Sequence, residues 1–292
     1  MGRTELTNSE LVLRYHEAYR RNDHDRLDRM RTPDWVEEWP QSGERIRGTL
    51  NDRLIHENYP GYPEIELKRL AGDPGRWAIS PSNTVVRISG DGELWFVQGV
   101  NEYQSGPINV LSIIELSGGL VQRETVYFAE PFEPPAWRSS WSGRIPPGAH
   151  ETPFEAASEA EERRRTADLK KLFTPHASRT QLIEGMRQLF DENAVQDLPQ
   201  SGERFTPLTQ ILRLVEEHPN FTAITRVRRI VGIGNLYAVE ASSAYGEQTW
   251  WEAILIAFRG DRIVHSVDHF AQASEAPVWR SAWVEPLETA GV

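Results

Sequence analysis

Pro40-Gln41-Ser42-Gly43-Glu44-Arg45 recurs letter for letter as Pro199-Gln200-Ser201-Gly202-Glu203-Arg204, at an offset of 159 residues. A second string follows each copy. Pro135-Ala136-Trp137-Arg138-Ser139-Ser140-Trp141 returns as Pro277-Val278-Trp279-Arg280-Ser281-Ala282-Trp283 at an offset of 142. Two rare strings recurring in the same order mean an internal duplication. The offset falls by 17 between them, so copy one is longer in its middle, and the reading places an inserted hairpin near residues 71–93. Pro146-Pro147-Gly148 breaks helix and strand alike. The expected division is a first domain over 1–143, a linker over 144–152 and a second domain over 153–292.

Each copy begins with helical signals. Thr7 with Glu10, Thr152-Pro153 with Glu155, and Ser178 with Gln181 are capping pairs. Leu11, Tyr15 and Ala18 fall on one helical face, and Leu182, Met186 and Leu189 do the same in copy two. The second part of each copy is strand-rich. Leu94 to Val97, Val110 to Ile114 and Leu120 to Phe128, with a Gly118-Gly119 turn, parallel Leu236 to Val239, Trp250 to Phe258 and Ile263 to Phe270, with a Gly260-Asp261 turn. Helices followed by an antiparallel meander, twice, predict an α+β fold.

Composition narrows the function. With no cysteine among 292 residues, disulfides, thiolate nucleophiles and thiolate metal sites are excluded. A formal charge of −11 disfavours nucleic acid, and the one basic run, Arg163-Arg164-Arg165, follows Glu159, Glu161 and Glu162 as a solvated helix face would. No apolar run reaches signal-peptide or membrane-span length, so a cytoplasmic protein with no membrane partner is expected.

Helices, then a strand leading into Glu37-Glu38-Trp39-Pro40-Gln41-Ser42-Gly43, then a meander closing in Tyr127-Phe128-Ala129-Glu130-Pro131-Phe132 resemble the SnoaL-like polyketide cyclases of the nuclear-transport-factor-like superfamily. The resemblance covers nearly the whole chain, twice. It implies two tandem cone-shaped α+β barrel domains, each with N-terminal helices packed on a strongly curved, mostly antiparallel sheet around a ligand pocket. It also implies carboxylates held at shifted pKa for acid–base work without a cofactor. The superfamily includes cyclases, ketosteroid isomerases, epoxide hydrolases, tandem polyether epoxide hydrolase-cyclases and non-catalytic members, so fold alone does not fix the reaction. Two motifs differ from relatives. The aspartate that ketosteroid isomerases place before the motif proline is Trp39 or Leu198 here, and the Arg-x-Asp of limonene-type hydrolases is absent from Gln98 to Asn101 and Glu240 to Ser243.

The catalytic candidates are acids. Glu38 and its repeat partner Asp197 form the one position before the motif proline that is acidic in both copies. Glu64 and Glu66 alternate with Ile65 and Leu67, so Glu66 is a candidate partner in a carboxylate pair. Asp268, in Asp268-His269-Phe270, resembles the inward aspartate of the closing strand in the epoxide hydrolase branch, where copy one has Val126-Tyr127-Phe128. The candidate binding residues are Tyr15, Trp39, Asn101, Phe128, Trp250 and Phe270, aromatic and amide groups suited to an apolar ligand. His265 and His269 sit four apart on a strand, about 13 Å along its rise, so spacing yields no metal site. The tryptophans of the repeated tails are expected to pin each tail onto its own domain. The leading expectation is a cofactor-free cyclase, isomerase or hydrolase acting on a polyketide-like or terpenoid-like substrate, the two copies packing as an intramolecular pseudo-dimer. The alternatives are a tandem epoxide hydrolase-cyclase and a non-catalytic ligand-binding or dimerisation module.

Overall fold

The computed structural model describes residues 7–60, 82–103, 106–146 and 152–287. They form two compact units. One is built from residues up to 128 together with residues 274–287, the other from residues 129–146 and 152–273. Each unit is thus finished by the tail of the other repeat, which corrects the expectation that each tail stays on its own domain.

In the first unit, helices α1 (Asn8–Arg20) and α2 (His24–Met30) lead into strand β1 (Arg31–Trp39), and the short β2 (Glu44–Arg47) precedes α3 (Thr49–Glu57). A meander follows: β3 (Ser82–Asp91), β4 (Leu94–Tyr103), β5 (Gly106–Ser117) and β6 (Leu120–Ala129). The second unit holds β7 (Gly143–Arg144), α4 (Glu159–Leu172), α5 (Arg179–Leu189), β8 (Phe190–Leu198), β9 (Glu203–Phe205) and α6 (Leu208–Glu217). Its meander is β10 (Phe221–Ile233), β11 (Leu236–Tyr245), β12 (Gln248–Arg259) and β13 (Arg262–Gln272), and β14 (Glu285–Pro286) returns to the first unit. The sheet orders are β14-β2-β1-β6-β5-β4-β3 and β10-β11-β12-β13-β8-β9-β7. The architecture is α+β as expected, and among the described residues neither sheet closes into a barrel.

Local chemistry explains most boundaries. Thr7 with Glu10 and Ser178 with Gln181 form reciprocal capping boxes. The helix expected from Thr152 instead starts after Ser158, which is boxed with Glu161. The intervening stretch is held extended against a turn: Glu155 N–H donates to Asn235 Oδ1 at 2.8 Å and Asn235 N–H to the Glu155 carbonyl at 3.0 Å. Strand β3 occupies the sheet edge that β10 holds in the second unit. The extra length of repeat one therefore falls within residues 61–81, outside the described residues, as do Glu64 and Glu66.

The two repeated strings bind each other. Gly43 and Gly202, both at φ 68°, close the turn after β1 and after β8 in the left-handed region that glycine adopts freely. Gln41 caps the closing strand, accepting from Phe128 N–H at 2.6 Å and donating to the Phe128 carbonyl at 2.8 Å, and Gln200 does the same to Phe270. Arg280 of the second tail ion-pairs with Glu44, and Arg138 of the first tail with Glu203, where its Nη2 is 2.6 Å from Oε2. Around each motif sits an apolar core, Val12, Tyr15, Leu27 and Trp35 in the first unit and Leu169, Ile211, Tyr237 and Phe258 in the second.

Candidate functional site

Each unit encloses a cavity, and the acids lie at different positions in the two. The second unit's cavity, about 350 Å³, is walled by apolar side chains including Leu172, Phe190, Leu214, Ile224, Trp250 and Phe270. Alternation along β13 sends Ser266, Asp268 and Phe270 inward. Gln196, on the neighbouring β8, donates its amide to Asp268 Oδ2, while Oδ1 is buried with no hydrogen-bond partner. Glu252 on β12 lines the same space and accepts from Tyr245 Oη at 2.7 Å. Burial, then the negative charge of Glu252, pushes the Asp268 carboxyl up to about 7. Burial likewise raises Glu252, against the hydrogen bond from Tyr245. His218, also in the lining, is lowered to about 4 by burial and by Arg138 and Arg179, and is neutral at pH 7.

The first unit's cavity, about 290 Å³, is more polar. Glu37 on β1 and Glu124 on β6 both line it and stand opposite each other in the parallel strand pair. Like charges at such a pair repel. Burial, then the charges of Glu124 and Asp52, raises Glu37 to about 8, and burial raises Glu124 as well. Trp39 Nε1 donates to Glu37 at 2.6 Å, Tyr19 Oη at 3.3 Å, and Tyr15 Oη donates to Glu124 at 3.1 Å.

Beneath this pair lies a buried ion cluster. Arg31 Nη1 is 2.6 Å from Asp52 Oδ2, and Arg31 also donates to Tyr15 and Tyr19. Asp52 and His56 are four apart on α3 and face the same way, with His56 Nδ1 3.2 Å from Asp52 Oδ1. Burial alone would raise Asp52, but Arg31 and His56 outweigh it and hold the carboxyl well below the usual range. His56 is raised, Asp52 overcoming the opposite effect of burial. The rings of His24 and His56 are 5.3 Å apart. Burial, then His56, lowers His24 to about 4.

The sequence candidates distribute unevenly over these sites. Asp268, Trp250 and Phe270 line the second cavity; Trp39, Asn101 and Phe128 line the first. Tyr15 is buried behind the first cavity wall as a donor to Glu124. Glu38 and Asp197 are on the opposite faces of their strands from Glu37 and Gln196. Glu38 is clamped by Arg45 at 2.9 Å and Arg123 at 3.0 Å. Asp197 is clamped by Arg204 at 2.6 Å and His265 at 3.0 Å. They occur in both repeats because Arg45 and Arg204 belong to the repeated motif. Sequence reasoning missed Glu37, Glu124, Glu252 and the Arg31–Asp52–His56 cluster. The Asp52-x-x-x-His56 spacing was the available signal for the last.

An α+β domain whose helices and sheet surround one acid-lined cavity is the class that both units define. No family model matches the chain, and no curated protein matches it. Among solved structures, an NTF-2-like protein of unknown function from Burkholderia xenovorans LB400 is 31% identical, covering 43% of this chain and 96% of its own, with a TM-score of 0.39. A candidate ketosteroid isomerase from Kribbella flavida DSM 17836 is 25% identical over 44% of this chain and 93% of its own, with a TM-score of 0.38. A candidate hydroxylase from Streptomyces galilaeus is 15% identical over 37% of this chain and 89% of its own, with a TM-score of 0.31. The chain belongs to the NTF-2-like family. Each of these structures matches about the length of one repeat, 43% and 44% of this chain for the first two. No helix among the described residues is long and apolar enough to cross a membrane.

Proposed function

We propose that the protein is a cofactor-free acid–base enzyme whose second unit transforms an apolar polyketide-like or terpenoid-like substrate, with Asp268 as the proton-transferring group. The observation that carries this reading is a carboxyl near pKa 7 facing an apolar cavity of ligand size, about 350 Å³. At neutral pH such a group is present both as acid and as base. Gln196 holds Oδ2, which leaves the unpartnered Oδ1 to exchange a proton with a bound molecule. Glu252, oriented by Tyr245, is the second carboxyl of the pair and keeps Asp268 from ionising early. The apolar walls exclude water and strengthen both effects.

Two reactions fit this arrangement. Asp268 as base removes a proton beside a carbonyl, as in a cyclisation or isomerisation; as acid it protonates an epoxide oxygen. The inward position of Asp268 on the closing strand favours the second, tandem epoxide hydrolase-cyclase reading. Open cavities argue against a purely dimerising module, whose interior its own side chains would fill. The test is a thermal-shift and turnover screen with epoxide-bearing, polyketide and steroid-like compounds, comparing wild type with Asp268→Asn. Stabilisation of both proteins with turnover lost in the variant is the expected result. Stabilisation by no compound overturns the reading.

A further inference from the structure

We propose that the first unit carries a binding site for a divalent first-row transition cation, formed by His24, Asp52 and His56. The site is independent of the acid pair in the second unit. One ligand atom from each residue lies within 4.8 Å of the other two. Bonds of about 2.1 Å to a tetrahedral ion place ligand atoms about 3.4 Å apart, so small side-chain rotations close the set. Two imidazoles and one carboxylate suit zinc and its first-row neighbours, whereas magnesium and calcium prefer oxygen throughout.

The comparison between repeats shows that the fold does not need these groups. At the repeat offset of 159, His24, Arg31, Asp52 and His56 correspond to Ile183, Phe190, Ile211 and Val215. All four of those side chains belong to or pack on the second unit's apolar core. The same scaffold is therefore complete with hydrocarbon at every one of these positions. Burying an arginine, an aspartate and two histidines there instead costs desolvation, and apolar replacements of buried ion pairs are often neutral or stabilising. A function is the remaining reason to keep them.

Charge and hydrogen bonding point to what the cluster binds. Asp52, Glu37 and Glu124 are buried carboxyls beside the cluster, groups whose ionised forms a bound divalent cation would favour. Asp52 Oδ2 is taken by Arg31, while Oδ1 is buried and faces His56 Nδ1 at 3.2 Å. One oxygen is thus oriented by an outer partner, the usual outer-shell arrangement of metal-bound carboxylates, and the other stands beside the imidazole that would share the ion. His56 also lines the 290 Å³ cavity, so the remaining coordination positions of an ion would open beside Glu37 and Tyr19.

The test uses tag-free full-length protein freed of metal by dialysis against chelator. Co²⁺ is titrated by visible absorption, with Zn²⁺ competition and thermal shift as second readouts. His24→Ile and His56→Val carry the residues of the second repeat, so folding is preserved, and circular dichroism checks it. The expected result is one tightly bound ion per chain in wild type. Binding should weaken by more than ~100-fold in either variant, because loss of outer-shell partners alone costs 10–100-fold. His176→Ala, far from the cluster in sequence and exposed, is the control that should bind as wild type. Absence of stoichiometric binding in wild type, or equal binding in wild type and both variants, overturns the proposal.

Discussion

Asp268 and Glu252 stand where the first repeat has Val126 and Val110, and Glu37 and Glu124 stand where the second has Gln196 and Ser266. One scaffold therefore offers two places for a buried acid pair, and each repeat uses a different one. Asp268 gives a prediction with a definite sign. Its folded pKa of about 7 lies above the unfolded value near 3.9, so between those limits the native state binds the extra proton. Stability contributed by the protonated group is complete below about pH 4 and is lost as pH rises towards 7. Burial, then the charges of Glu252 and Asp197, raise it, and the hydrogen bond from Gln196 lowers it. Asp268→Asn should therefore raise stability at pH 8 by on the order of 2 kcal/mol and flatten the fall between pH 4 and 7. Urea titrations across pH measure this; a variant less stable than wild type at pH 8 contradicts the burial of a strained carboxylate. The same substitution should lower turnover by ~10²–10⁴ once a substrate is found. The inward aspartate was legible because its resemblance to a known closing strand named a face. Glu37 was not, because the criterion of an acid shared by both repeats selects what the repeats share. They share a scaffold, and Glu38 and Asp197 are acidic to meet Arg45 and Arg204.

At the scale of elements, the strings that revealed the duplication are the two halves of one joint. The turn after β1 or β8 presents Glu44 or Glu203, steadied by Ser42 or Ser201, and a tail arginine closes on it. Arg138 and Glu203 are both nearly inaccessible, and Trp141 stacks edge-on against Phe205 at 5.5 Å beside them. Removing one member leaves a buried charge unpaired, which costs about 3 kcal/mol. Glu203→Gln should lose about that much in urea unfolding of the second unit, while Glu285→Gln, whose partner Arg47 is exposed, should lose under ~1 kcal/mol. Equal effects would show that the tail joint carries no special stability. The meander strands were legible from period-two alternation and glycine turns. The start of α4 was not, since Thr152-Pro153 and Ser158 both read as caps, and the Asn235 contact that decides between them is long-range.

For the whole molecule, the exchange of tails is the feature that no single repeat displays. Residues 129–146 complete the second unit and residues 274–287 complete the first, so each repeat supplies what the other lacks. The local pattern could not reveal this, because a tail reads identically whichever motif it meets: Trp-Arg-Ser-x-Trp fits Glu44 and Glu203 alike. That equivalence makes a prediction about a fragment. A chain ending at residue 146 keeps Arg138 and its tryptophans but has only Glu44 as their target. Where the intact protein passes its first tail to the other unit, two fragments can exchange tails symmetrically, each Arg138 meeting the partner copy's Glu44, in a closed two-fold assembly. Full-length protein should run as a monomer of 33.4 kDa in light scattering, and the fragment as a dimer. Glu44→Gln in the fragment should shift it to monomer by leaving Arg138 without its acceptor, since truncating one member of a buried pair is worth several kcal/mol of assembly. A fragment that remains monomeric at high concentration would mean that its tail folds back on its own motif, and that exchange in the intact chain follows from connectivity alone.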